Sequence, residues 1–165
     1  MTGGGMDDQL QESFLEVMAG VCTPVTVITA LDGERPHGTT VSAFASLSLQ
    51  PAMVMIALDE RSDLLAIVRR EGRFGVNVLA SEQAGLASRF AAKGVEKFDG
   101  VEWTARAGLP SLEAASGWLA CETSDFVAGG DHTVVLGRVV NAAASMASPL
   151  IYHRRVFGTH SALGA

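Results

Sequence analysis

A chain of 165 residues with a formal charge of −6 and a pI near 5.1 has no basic face for a phosphate backbone, which excludes nucleic acid as a partner. Its Arg and Lys residues are scattered, apart from the Arg69-Arg70 and Arg154-Arg155 pairs. The length suits one domain whose core needs neither disulfides nor metal, and 48% hydrophobic against 18% charged residues leaves more apolar surface than a monomer hides, so a homodimer is expected.

Cys22 and Cys121 are too few for a disulfide framework and fit a reducing cytoplasm. No apolar run approaches the roughly 18 residues of a membrane span. The opening MTGGGMDDQLQESF has neither the basic nor the apolar region of a secretory leader. Residues 1–6 are expected to be a flexible lead-in and residues 7–165 a single domain.

Leu10, Phe14, Val17, Met18 and Val21 recur at helical spacing and predict an amphipathic opening helix that stops near Gly20 and Pro24. PVTVITA and HGTTVSAFASLSL then read as extended strands joined by a turn at Asp32-Gly33, and PAMVMIAL as a buried strand. RSDLLAIVRREG predicts a helix with Ser62 as N-cap and Gly72 as its stop, followed by the strand RFGVNVLA. A third helix opens at Ser81 and stops at Gly94. KFDGVEWTARAGLP is turn-rich, GWLACETSDFVAGGDHTVVLGRVVNAA predicts two strands around Gly129-Gly130-Asp131, and PLIYHRRVFG one short final strand. Long hairpins favour antiparallel pairing, so the expected class is mainly β with covering helices, a barrel rather than a parallel sheet.

The stretch GTTVSAFASLSLQP is unusually rich in hydroxyls. Thr39, Thr40, Ser42, Ser46 and Ser48 are either the solvent face of an edge strand or donors to a polar, partly anionic ligand, with Gly38 allowing close approach to the main chain. The stretch and the AMVMIAL after it resemble the signature of the flavin reductase domain family, the FMN-binding split barrel. RSDLLAIVRREGRFGVNVLA, KFDGVEW, GLPSLEAASGWLACE, GGDHTVVLGRV and PLIYHRRVFG resemble further family segments in order, together covering about residues 10–160. Ala43 stands where many relatives have a second Ser, and Ala52 where many have a second Pro.

The resemblance implies an antiparallel Greek-key split β-barrel and an NAD(P)H:flavin oxidoreductase that supplies reduced flavin to a partner monooxygenase. Thr39, Thr40, Val41, Ser42 and Ala43 would run along the isoalloxazine edge, with Val41, Phe44 and Leu47 also open to a core role. Ser46, Ser48, Arg61 and Ser62 would lie near the phosphate, with Leu47 between the two serines also cofactor-binding; Arg61 has the alternative of a solvated surface cation. Asn77 would meet flavin or a neighbouring backbone, and Ser81 and Gln83 the distal flavin. His132, fixed by the turn at Asp131, would sit over the flavin where nicotinamide docks, to bind its carboxamide or to shape the hydride-transfer stack. Tyr152 and Phe157 would stack on a ring and Arg154 meet a phosphate, unless they are core aromatics and an exposed cation. FAD is expected ahead of FMN, and NADH ahead of NADPH because no Arg cluster awaits a 2′-phosphate.

Other chemistries find less support. His132, His153, His160 and Asp131 lack zinc-motif spacing, and neither a G-x-S-x-G elbow nor a dinucleotide fingerprint is present. The basic residues of a pyridoxamine-phosphate oxidase are not evident. A flavin carrier without efficient NADH oxidation is the alternative from another class.

Overall fold

The computed structural model describes residues 4–94 and 96–164. After α1 (Gly4–Ala19) come β1 (Thr23–Pro24), β2 (Thr26–Asp32), β3 (Arg35–Val41), β4 (Phe44–Leu49), β5 (Ala52–Asp59) and α2 (Asp63–Glu71). β6 (Arg73–Val78), a 3₁₀ turn (Ser81–Gln83) and α3 (Ala84–Ala91) follow. Three hairpins complete the chain: β7 (Trp103–Arg106) with β8 (Leu109–Leu112), β9 (Gly117–Gly129) with β10 (His132–Ala144), and β11 (Leu150–His153) with β12 (Val156–Thr159). The expected lead-in is shorter than six residues, because residues 4–6 belong to α1; residues 1–3 lie outside the described residues.

The main sheet has seven antiparallel strands in the order β3-β2-β6-β9-β10-β5-β4. GTTVSAFASLSL, expected as one strand, is two, and they stand at opposite ends of that order. Only Ser42 and Ala43 separate them, so Val41 and Phe44 lie at most about 11 Å apart. The sheet therefore curls so that the end of β3 approaches the start of β4. The Ala57 N–H of β5 donates to the Ala43 carbonyl at 3.0 Å, tying the link to the strand beside the far edge.

Two cores flank β2. On one side Ile28 joins Val54, Ile56 and Leu58 of β5, Phe74 and Val76 of β6 and Val135 of β10 under Leu64, Leu65, Ile67 and Val68 of α2. On the other, Val27 packs with Leu79, Leu112, Leu150 and the Ala87 and Phe90 face of α3. Each fully buried Leu, Ile, Val or Phe contributes about 1.5–3 kcal/mol. Burial from both sides explains why β2 lacks a polar face. β5 instead alternates, with Val54, Ile56 and Leu58 inward and Met55 and Ala57 half-exposed. α2 ends where Gly72 takes the left-handed conformation at φ 68° and donates to the Val68 carbonyl.

Candidate functional site

A cavity of about 390 Å³ opens where β3, α3 and the last hairpin converge, lined by Val25, Thr40, Ser42, Ala87, Ser88, Ala91, Tyr152, Arg155 and Phe157. It brings together residues from both ends of the resemblance. The Tyr152 and Phe157 rings lie 5.1 Å apart, forming one aromatic wall. PLIYHRRVFG is two strands rather than one, turning at Arg154 and Arg155 with φ of 48° and 65°. This turn aims Arg155 at the cavity, while the Arg154 N–H is tied to the Ala19 carbonyl at 2.7 Å. Arg154 does not line it. Arg155, Ser88, Ala87 and Ala91 are lining residues that sequence reasoning did not single out.

The threonine hydroxyls of β3 are engaged within the protein. Thr40 donates to the Ala87 carbonyl at 2.7 Å, and Thr39 more weakly to that of Phe90 at 3.4 Å. Phe90 belongs to the last turn of α3, whose carbonyls lack helical partners, and Lys97 Nζ also donates to it at 2.8 Å. Val41 belongs to the core. As donors, β3 can still offer a ligand its main chain, since among the described residues β2 is the one strand paired with it, while the Thr40 hydroxyl, which lines the cavity, keeps its acceptor capacity. Ser42 and Ala43 are exposed.

His132 begins β10 and pairs across the strands with Asp59. Its neighbour on the same face two residues on, Val134, pairs with Ala57, which in turn bonds Ala43. His132 therefore stands at the end of the sheet where the Ser42-Ala43 link crosses. Asp131 Oδ1 lies 2.7 Å from His132 Nδ1, and this hydrogen bond is the main cause holding the Asp131 carboxyl below its usual range. An ionised Asp131 accepts from Nδ1–H, and among the described residues Nε2 has no hydrogen-bond partner.

Arg61 is paired rather than free. Its Nε and Nη2 each lie 3.2 Å from an Asp59 oxygen, and its backbone N–H donates to the same carboxylate at 2.8 Å. Hydrogen bonds from the Arg61 side chain and then its backbone lower the Asp59 carboxyl to about 2.

Ser46 and Ser48 pair with Val54 and Met53, near the other end of β5. The strand rise separates Ser46 from the Asp59 and Arg61 end by about 17 Å, so the expected phosphate group of Ser46, Ser48, Arg61 and Ser62 is not assembled in one place. Leu47 is 46% exposed at a register shift of β4, which removes it from the core. Ser62 precedes α2 without a capping hydrogen bond from its side chain.

Asn77 is fully buried. Its amide donates to the Val27 carbonyl at 3.2 Å and the Thr29 hydroxyl at 3.3 Å and accepts from the Leu112 N–H at 2.7 Å, clasping β2 and β8 to β6 instead of facing a ligand. Gln83 is likewise occupied, accepting from Ala80 N–H and donating to the Glu113 carbonyl. Ser81 bonds its own neighbour Glu82 and, through its N–H, the Ser148 carbonyl. Cys121 is buried, which pushes its thiol up to about 12 and makes it inert as a nucleophile.

Residues 18–161 match the flavin reductase like domain. The reductase component of a 4-nitrophenol 4-monooxygenase/4-nitrocatechol 2-monooxygenase from Rhodococcus opacus is 36% identical over 145 residues, 88% of this chain and 78% of that protein. An NADH:riboflavin 5′-phosphate oxidoreductase from Streptomyces pristinaespiralis is 37% identical over 153 residues, 90% of this chain and 87% of that protein. The solved NADH:FAD oxidoreductase of Streptomyces globisporus C-1027, in complex with NAD and FAD fragments, superposes with a TM-score of 0.86 at 29% identity, covering 92% of this chain and 93% of that one. The wrapped antiparallel sheet and the similarity along most of the sequence make this chain a member of the flavin reductase like domain family.

Proposed function

We propose that this chain is an NADH-dependent flavin reductase whose reduced flavin supplies a partner monooxygenase. The observation that carries the reading is the position of His132, with a free Nε2, at the sheet end where the exposed Ser42-Ala43 link crosses. Similarity over most of the chain to proteins named as NADH:flavin oxidoreductases and as a monooxygenase's reductase component supports it.

The residues of the cavity fit a flavin. Its volume of about 390 Å³ lies in the range of small-molecule sites. Tyr152 and Phe157 offer ring faces, Arg155 a guanidinium for phosphate, and Ser42 with the free edge of β3 donors for the polar ring edge. Flavin supplies the hydride acceptor and reduced nicotinamide the donor, so no protein nucleophile is required. The protein's tasks are to place the two rings and to keep them in register. His132 Nε2 accepts from the carboxamide N–H of nicotinamide, while Asp131 holds the ring in that tautomer.

NADH is preferred to NADPH because the cations beside His132 are already neutralised, Arg61 by Asp59 and Arg69 by Glu60. FAD is preferred to FMN in line with the ligand of the solved oxidoreductase. The working unit is a homodimer: Leu10, Phe14 and Val17 of α1 are 68%, 58% and 67% exposed, and a second copy covers them.

Anaerobic mixing of the protein with FAD or FMN and with NADH or NADPH tests the reading through the visible absorbance of the flavin. Catalysed bleaching is expected, fastest with NADH. Bleaching no faster than without protein, in every combination, overturns the reductase in favour of a flavin carrier.

A further inference from the structure

We propose that Glu60 is a positioning residue for His132, holding the imidazole in place by gripping both of its chain neighbours. Glu60 lies between β5 and α2. Its N–H donates to the Asp131 carbonyl at 3.0 Å, and its carboxylate accepts from the Thr133 hydroxyl. His132 is the residue between those two attachments.

Arg69 of α2 closes the arrangement. Its Nη2 lies 2.8 Å from Thr133 Oγ1 and 3.6 Å from Glu60 Oε2, and its guanidinium sits 5.5 Å from the centre of the Phe126 ring. The Thr133 hydroxyl thus donates to Glu60 and accepts from Arg69, using its capacity in both directions.

The location of this network argues for a role beyond packing. Thr133 is 1% exposed and pairs with buried Leu58 on the core face, two residues before buried Val135. A valine would fill that position without a hydroxyl to satisfy. A fully paired polar group there fixes orientation, and the next residue back is the histidine whose Nδ1 is pinned by Asp131. The imidazole is therefore constrained through its ring, the preceding carbonyl and the following side chain. Displacement of such a group by about 1 Å is costly to a reaction that depends on ring alignment.

This inference rests on the reading that His132 meets nicotinamide. The test is steady-state kinetics of Glu60→Ala, Glu60→Gln, His132→Ala and the double variant Glu60→Ala/His132→Ala, with flavin affinity and thermal melting measured alongside. Glu60→Ala is expected to raise the KM for NADH about fivefold at unchanged flavin affinity, and to add nothing in the His132→Ala background, since coupled residues are non-additive. Glu60→Gln retains the acceptor and is expected to stay near wild type. An equal rise in KM in both backgrounds, no rise at all, or a Gln variant as impaired as Ala would each overturn the positioning role. If His132→Ala leaves the KM for NADH unchanged, the underlying reading of His132 fails; if it raises KM and Glu60→Ala does not, only the role of Glu60 fails. Should Glu60→Ala melt too low to assay, Thr133→Val probes the same attachment from its other end with the same expectations, and Thr133→Ser is its conservative rescue.

Discussion

Gly38 presses its bare α-carbon against the edge of the Phe90 ring: a Cβ added there would stand 2.9 Å from Cε1. The close approach that the sequence suggested for a ligand is made by the protein's own α3. Phe90 is fully buried and packs edge-to-face on the partly buried Phe98 at 4.9 Å, so the Phe90 ring has little room to yield. Gly38→Ala should destabilise by about 1–3 kcal/mol, read as a lower Tm at about 2–4 °C per kcal/mol. A variant melting at or above wild type would mean that α3 moves away freely.

The Arg154-Arg155 turn divides two adjacent cations by function. Arg155→Ala should raise the flavin Kd about tenfold, the loss of one charge-assisted hydrogen bond, and leave affinity for riboflavin, which has no phosphate, nearly unchanged. Arg154→Ala should leave both affinities near wild type. Fluorescence titration separates the two, and equal losses with FAD and riboflavin would argue against a phosphate contact.

The apolar face of α1 provides a test of assembly. Val17→Asp places a charge on that face without disturbing the inner cores, and should shift the mass in analytical ultracentrifugation from dimer to monomer. An unchanged mass would place the dimer contact elsewhere or exclude one.

Asp59 has a pH signature. Its carboxyl falls from 3.8 to about 2 in the folded protein, chiefly through the Arg61 hydrogen bonds. A depressed folded value means that the contribution is present above 3.8 and is lost as pH falls through about 2. Asp59→Asn should therefore lower Tm slightly near neutrality, since the pair is exposed, and the gap to wild type should close across that acid window. A gap independent of pH would assign the effect to packing.

Periodicity made α1, α2 and the long β9–β10 hairpin legible, because each had a strong local signal. Gly130, at φ 71°, and Asp131 announced the turn before His132. The Arg154-Arg155 turn was hidden: left-handed conformations at both positions normally call for Asn or Gly, and neither is there. The Ser42-Ala43 break also lacks Gly or Pro, so two strands at opposite sheet edges looked like one. Asn77 stood out as an amide in an apolar strand, but its partners Val27 and Leu112 are joined to it only by the tertiary fold. The same limit hides the partners of Thr39 and Thr40, whose hydroxyls donate to carbonyls of α3.

With those two hydroxyl protons donated to a helix, the hydrogen-bond donors that β3 can turn toward a ligand belong to the backbone. Side-chain substitution cannot delete a backbone carbonyl, and only proline removes an N–H. If the flavin ring runs along this strand as proposed, its backbone contacts are insulated from most point mutations, and Thr39, which does not line the cavity, is free to change wherever α3 finds another anchor. Under that proposal, changes in ligand preference arise at the side chains that line the cavity, Arg155, Tyr152 and Phe157 among them, which a single codon can alter.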